Sequence, residues 1–324
     1  MLALHTGAPQ IAVMVQALTH AALPSRALIA IGGPDWRSFL QGLITQDVET
    51  MAPGEARFAA LLTPQGRLLY DLFVVERADG AWLDVEAAHG DAILQRLMMY
   101  RLRAKVELAA DDTPVSVLFS AHPRESGDPG FFRGDVSTGE ASGGGSSETQ
   151  NTWVPAFAGM SGFVRDPRLP ELGWRGYGAT PPAGAVEADE AVREAQKLAL
   201  GVPGPADWGS DKTYPIEANF DLLNGIDFKK GCFVGQETTS RMKRRGQIKS
   251  RMLPIRFDGP PPPPGSEILA RDLRAGEVLS GADGGAMALL RLDRALGATL
   301  TVNGRPVTVK QPKWFATAPA EPLS

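Results

Sequence analysis

The order of apolar and polar positions predicts a chain of mixed helices and strands. Between Gly33 and Leu43, Trp36, Phe39, Leu40 and Leu43 recur at i, i+3, i+4 and i+7, and Pro34 suits a first helical turn. That spacing predicts a helix. Two apolar runs follow, Leu68–Val75 and Ala81–Val85, with Asp79-Gly80 between them, which predicts a β-hairpin. Asp91–Tyr100 carries Ile93, Leu94 and Leu97 on one stripe and reads as a second helix; Lys105–Leu108 and Pro114–Ser120 read as short strands. Such mixing, without regular βα alternation, predicts an α+β fold with antiparallel pairing.

From about Ala121 to Gly162 the apolar period disappears and Gly, Ser and Pro dominate. A segment of that composition buries too little surface to offset the entropy of ordering it, so an insertion at about 121–162 is expected within one domain. Periodicity returns near Phe163. Glu187–Leu200 predicts a helix with Val192, Ala195, Leu198 and Ala199 facing inward and Gly201 as its stop. Gly259–Pro264 holds five consecutive prolines and reads as a stiff connector. Beyond it, Asn303-Gly304 between two β-rich arms is a strong hairpin signal. The expected organisation is an α+β region over 1–245 in two subdomains, a β-rich, barrel-like domain over 246–315, and a tail over 316–324.

Composition narrows the classes. At 324 residues, a prior of about 150 residues per domain suggests roughly two domains. With 43% hydrophobic and 22% charged residues the chain has material for a large core. A net charge of -4 from 33 basic and 37 acidic residues argues against nucleic acid or a membrane as main partner. One cysteine, Cys232, excludes an internal disulfide, and four scattered histidines leave no zinc-site spacing. No Lys or Arg precedes Arg26, which fits neither a secretory signal nor a transit peptide. No run of about 18 apolar residues predicts a membrane span, and a cytoplasmic location is the default expectation.

The candidate chemistry centres on Lys229-Lys230-Gly231-Cys232-Phe233-Val234-Gly235-Gln236-Glu237. Two glycines bracket the thiol, which suits a tight backbone presenting Cys232. Lys229 and Lys230, if close in space, would favour its thiolate. The competing reading is a small residue packed in a turn, since free Cys is among the most buried residue types. A second feature is the run Arg241–Arg251, with six basic residues. It reads either as a solvated strand or loop face or as a funnel for an anionic ligand. No aromatics interleave it, which weakens a nucleic-acid reading.

KGCFVGQE is similar to the signature of the YgfZ family of folate-binding proteins, which includes mitochondrial iron–sulfur assembly homologues. Asp35–Val48, Thr63-Pro64-Gln65-Gly66-Arg67, Pro215-Ile216-Glu217-Ala218-Asn219 and Ala286–Asp293 resemble further segments of that family, in order, over about 35–120 and 163–315. The family in turn resembles the T-protein of the glycine cleavage system, a tetrahydrofolate-dependent aminomethyltransferase. The resemblance implies a T-protein-like fold around a folate-sized channel, tetrahydrofolate as ligand, and iron–sulfur assembly machinery with its client enzymes as partners. It implies Cys232 as the functional thiol, within a motif of Lys230, Gly231, Phe233, Gly235, Gln236 and Glu237. It places Glu217 at the pterin, with Arg67, Lys230 and Arg241 as further folate contacts. A carboxylate suits the amino-pyrimidine edge of a pterin because it accepts two hydrogen bonds. Asp91 takes roughly the place of the T-protein's catalytic aspartate. The accompanying Asn is missing and the spacing differs, which favours a helix-start carboxylate over aminomethyl transfer. The two functions that follow are a folate-binding accessory protein of iron–sulfur assembly and a folate-dependent one-carbon transferase.

Overall fold

The computed structural model describes residues 18–120, 161–244, 246 and 248–316. Its first elements are β1 (Thr19–Ala22), β2 (Arg26–Gly32), the short helix α1 (Trp36–Gln41), β3 (Ala56–Leu62), β4 (Leu68–Arg77), β5 (Gly80–Glu86), α2 (Gly90–Arg101) and β6 (Glu107–Asp111). Five of these strands form an antiparallel sheet in the order β3-β4-β5-β2-β6. The predicted hairpin is β4–β5. Its glycine is required: Gly80 has φ 154°, and a Cβ there would lie 2.1 Å from the Ile31 carbonyl oxygen. Alternation along β2 sends Ile29 and Ile31 to one face, where Trp36, Leu40, Ile93 and Leu97 of the two helices cover them. Leu28 faces the other side, with Phe58 and Phe73. The sheet is buried on both faces. The strand expected at Lys105–Leu108 begins two residues later, at Glu107.

The second sheet takes β1 together with β7 (Val115–Phe119), β8 (Phe163–Arg165), β9 (Trp174–Tyr177) and β10 (Val186–Ala188), in the order β10-β1-β7-β9-β8. The β1–β10 pair is parallel, the one departure from the expected antiparallel pairing in these sheets. The expected insertion falls, but for its last two residues, outside the described residues.

Helices α3 (Glu190–Leu200), α4 (Pro205–Trp208) and α5 (Gln236–Arg244) follow. α3 starts three residues later than predicted because Val186–Ala188 pair with β1 as β10. Gly201 ends it in the left-handed region at φ 73°. The face turned inward is only partly the predicted one: Leu198 packs against the large core, but Ala195 is exposed. Arg193, Gln196 and Lys197 are buried, whereas Val192 is 38% exposed. The reason is on the facing elements, where Asp166 and the Leu172 carbonyl receive the Arg193 guanidinium at 3.1 and 2.6 Å. Charge pairing overrides the apolar stripe.

The C-terminal region is a closed six-stranded barrel of β11 (Ser250–Arg256), β12 (Glu267–Ala270), β13 (Leu273–Ala282), β14 (Gly285–Arg291), β15 (Leu300–Val302) and β16 (Arg305–Val309), with the short helices α6 (Leu292–Ala295) and α7 (Lys313–Ala316). Asn303 (φ 49°) and Gly304 (φ 77°) make the predicted β15–β16 turn. Leu253 and Ile255 of β11 point into the barrel with Val278 and Leu290. Met252 and Met287 point outward into the core shared by the two N-terminal sheets. One strand pair therefore serves two interiors.

Candidate functional site

The segment Asp227–Gly235 crosses from the turn after Phe220 to the start of α5 and carries the thiol. Cys232 is exposed. The residues on either side of it are tied down. Asp227 caps the loop, its Oδ1 accepting the Lys229 and Lys230 N–H groups at 2.7 and 3.2 Å. The Lys230 ammonium donates to the carbonyls of Gln41, Ile44 and Gln46 at 2.7–2.8 Å. Phe233 is buried in the large core, and Val234 donates its N–H to Gly42 at 3.2 Å while packing against the α1 cluster. The Asp227 N–H bonds the Thr45 carbonyl, and Thr45 Oγ1 bonds the Gly225 carbonyl at 2.6 Å. The turn after α1 is thus a cradle for the thiol-bearing loop.

This corrects the reading of Lys230. Its three donors are committed to backbone carbonyls, so it positions the loop and is offered neither to the thiol nor to a ligand. Burial pushes the ammonium down to about 8. The two glycines also differ. Gly235 has φ 82°, and a Cβ there would lie 2.7 Å from the Thr63 carbonyl oxygen and 2.9 Å from the Gly66 Cα. A Cβ on Gly231 would meet nothing within 4 Å. The expected tight backbone holds for Gly235 alone.

Through Gly235 the loop rests on the Thr63–Arg67 turn, so these two motifs meet. Gln236 and the exposed Glu237 open α5, where a carboxylate suits the helix N-terminus. Arg67 lies over the Tyr214 ring at 4.4 Å and donates to the Lys212 carbonyl. Glu217 accepts the Tyr214 N–H at 3.0 Å, with Arg67 near enough to act on its charge; burial nonetheless raises its carboxyl above the usual value. Arg67, Tyr214 and Glu217 therefore form one cluster. The basic run is not a strand or loop face throughout. Arg241–Arg244 complete α5, Lys243 lies 5.2 Å over the Phe228 ring, and Arg251 is buried in a two-bond pair with Asp221, both at 2.8 Å. Arg241 is exposed. Asp91 is an exposed first-turn residue of α2, the helix-start position expected for it.

A cavity of about 430 Å³ opens between the two N-terminal sheets, α3 and α4, lined among others by Arg26, Asp71, Phe73, Glu86, Arg168 and Trp208. Sequence reasoning missed it. Its wall carries a buried ionic network. Asp84 accepts from Arg26 Nε at 2.6 Å and from the Tyr177 hydroxyl at 2.9 Å, and it also pairs with Arg175, whose guanidinium lies 3.8 Å from the Phe73 ring centre. Asp166 pairs with Arg168 at 2.7 Å and Arg193 at 3.1 Å. Burial alone would raise both carboxyls, but the surrounding arginines outweigh it and hold them below the usual carboxylate range. Burial, reinforced by Asp84, raises the Tyr177 hydroxyl. The available signal was a lone carboxylate inside each apolar strand run, Asp71 in LLYDLFVV and Asp84 in AWLDV. Glu217, Arg67 and Arg241 stand outside the cavity lining. Trp208 joins the two places: it lines the cavity, packs edge-on against Phe220 at 5.3 Å, and accepts the Thr213 hydroxyl hydrogen bond on its carbonyl.

Residues 249–317 match the family model of the CAF17 C-terminal beta-barrel domain. Over longer stretches the chain is similar to proteins named iron–sulfur cluster assembly factor IBA57. It is 29% identical to the mitochondrial homolog of Pyricularia oryzae over 316 residues, covering 88% of this chain and 74% of that one. Against the mitochondrial homolog of Phaeosphaeria nodorum it is 32% identical over 251 residues, 73% of this chain and 55% of that one. Against the human mitochondrial protein it is 29% identical over 299 residues, 85% and 78%. The chain thus spans about half to three quarters of the length of these relatives. In structure it is similar to the glycine cleavage system aminomethyltransferase T from Bartonella henselae, with a TM-score of 0.68 over 92% of this chain and 86% of that one, at 16% identity. The fold is therefore T-protein-like, α+β with a C-terminal barrel, as expected. The names bear out the iron–sulfur assembly side of the resemblance and overturn the cytoplasmic expectation, since they are those of mitochondrial proteins.

Proposed function

We propose that this chain is an iron–sulfur cluster assembly factor that works through the Cys232 thiol and binds a reduced folate. The observation that carries the reading is the construction around Cys232. The sulfur is exposed, while Lys230 on one side and Phe233 and Val234 on the other lock the loop to the turn after α1 and to the two cores beneath it. A structural cysteine needs no such mounting; a thiol presented to a partner does. Thiolates are the usual protein ligands of iron–sulfur clusters, and a typical cluster takes four. Cys232 supplies one, so the others come from the assembly machinery or a client enzyme. The IBA57 names of the relatives support this reading.

The cavity suits a folate in size and chemistry. Its volume lies within the range of about 300–1,000 Å³ typical of small-molecule sites. Phe73 and Trp208 line it with the edges of buried rings, Asp71 and Glu86 bring carboxylates that suit an amino-pyrimidine, and Arg168 and Lys197, although paired with Asp166 and Glu194, add positive charge towards a carboxylate tail. Glu217 meets the pterin in this reading only where the ligand reaches past Trp208 towards Tyr214. The missing Asn before Asp91 favours accessory binding over aminomethyl transfer.

Two measurements test the proposal. In a purified cluster-transfer assay with an acceptor apo-enzyme, Cys232→Ala should abolish the factor's contribution while leaving the melting temperature unchanged; retained activity would sink the thiol's role. In calorimetry with tetrahydrofolate, Glu86→Gln should weaken binding about tenfold if the cavity is the site, and Glu217→Gln if the pterin lies beside Tyr214. No binding by the wild type would remove the folate claim.

A further inference from the structure

The last turn of α2 presents apolar side chains to water. Ile93 and Leu97 fasten the helix to the sheet, but Met98, Met99 and Tyr100 are 47, 68 and 38% exposed. Leu102, which follows the helix, is 87% exposed and has φ 42° and ψ -105°. A non-glycine residue held in such a region is strained and persists where its surroundings impose it. Here the strained backbone carries an apolar side chain that stands out in solvent. Isolated exposed apolar residues are ordinary; a contiguous group rimmed by polar residues marks an interaction surface.

The rim is cationic. Between Asp91 and Glu107 the sequence carries Arg96, Arg101, Arg103 and Lys105 and no carboxylate, in a chain whose net charge is -4. Arg101, Arg103 and Lys105 are exposed, and Arg96 lies 5.8 Å from the centre of the Tyr100 ring. None of the four side chains forms an ion pair among the described residues. The recorded acid contact is Asp35, which accepts the Lys105 backbone N–H at 2.8 Å.

We propose that the Met98–Leu102 surface docks an acidic protein, whose apolar cleft receives Met99 and Leu102 and whose carboxylates pair with the surrounding arginines. The composition selects a protein over a lipid surface. Met, Tyr and Arg are the types enriched at protein–protein interfaces, and Met adapts to an irregular cleft. Amphipathic lipid anchors share the Lys/Arg-rich polar face but set Trp, Phe and Leu against it, whereas two of the four exposed apolar residues here are Met and neither Trp nor Phe is among them. The helix that carries this surface shares a core with the thiol-bearing loop, since Val234 packs against the cluster of Ile93 and Leu97. It does not depend on what Cys232 does.

A photo-crosslinking side chain at position 99 of the full chain, expressed in cells, identifies the partner, which is then purified and titrated. The expected result is one acidic protein. Its affinity should fall at least about tenfold with Met99→Ser/Leu102→Ser and, separately, with Arg101→Gln/Arg103→Gln. Leu102→Gly is the sharper variant. Glycine adopts the positive φ freely, so melting temperature should hold or rise while partner affinity falls. Unchanged affinity in these variants would overturn the proposal. So would the absence of any specific crosslink, or binding seen only to phosphatidylcholine vesicles with about 30% phosphatidylserine.

Discussion

Gly66 and Gly235 meet back to back: a Cβ on Gly235 would come within 2.9 Å of the Gly66 Cα, and one on Gly66 within 3.0 Å of the Gly235 carbonyl oxygen. Both have positive φ, 83° and 82°. Two motifs far apart in the chain are joined at a contact that admits no side chain.

Substitution at the two glycines around the thiol should therefore diverge. Gly235→Ala must displace backbone on the facing turn and hold an L-residue at positive φ, and it should destabilise by about 2 kcal/mol or more. Gly231→Ala should stay within about 0.5 kcal/mol of wild type. Urea unfolding of both variants decides this, and equal losses would refute the back-to-back packing.

Lys230→Met should cost about 3 kcal/mol, because three carbonyls lose their shared donor. The folded-state value near 8 lies below the ordinary value of 10.5, so between them the unfolded chain binds more protons. Wild-type stability should accordingly climb with pH across that interval, and the climb should be smaller in the variant. Denaturant midpoints measured from pH 7 to 10 test the sign.

Acid should attack the ionic network. Asp84 and Asp166 have folded-state values below those of the unfolded chain. Their contribution is fully present above the unfolded carboxylate value of about 4 and is lost as pH falls through the folded values. Asp84→Asn leaves Arg175 and Arg26 without their common partner and should cost about 3–5 kcal/mol at pH 7. Its stability should also fall less steeply below about pH 4 than that of wild type, which calorimetric scans would show.

Cys232 should be fully alkylated in the folded state, and Cys232→Ala should unfold within about 0.5 kcal/mol of wild type. Slow alkylation together with early melting would instead mark a core residue.

The hairpin at Asp79-Gly80, the turn at Asn303-Gly304 and the body of α2 were legible because each rests on local chemistry: a glycine conformation or a 3.6-residue period. The presentation of Cys232 was legible for the same reason, through Gly235. The inward face of α3 was not. Its stripe of Val192 and Ala195 lost to Arg193 and Gln196 because Asp166, Leu172 and Glu171 wait on elements far away in sequence. Lys230 was misread similarly, since its acceptors sit near 190 positions earlier, at Gln41, Ile44 and Gln46. Ionic partners brought together by topology leave no periodic trace.

The double use of β11 and β14 bears on how this chain can change over generations. Met252 and Met287 answer to one interior, Leu253 and Leu290 to the other. The Met252 N–H also bonds the Glu217 carbonyl at 2.8 Å, and Asn219 Nδ2 bonds the Met252 carbonyl at 2.7 Å. A recombination event that exchanged this barrel for a foreign one would have to match the outside of two strands to a core it did not bring. Drift in the barrel and drift around Glu217 are bound to one another. A barrel exchanged alone would leave the core of the two sheets without Met252 and Met287.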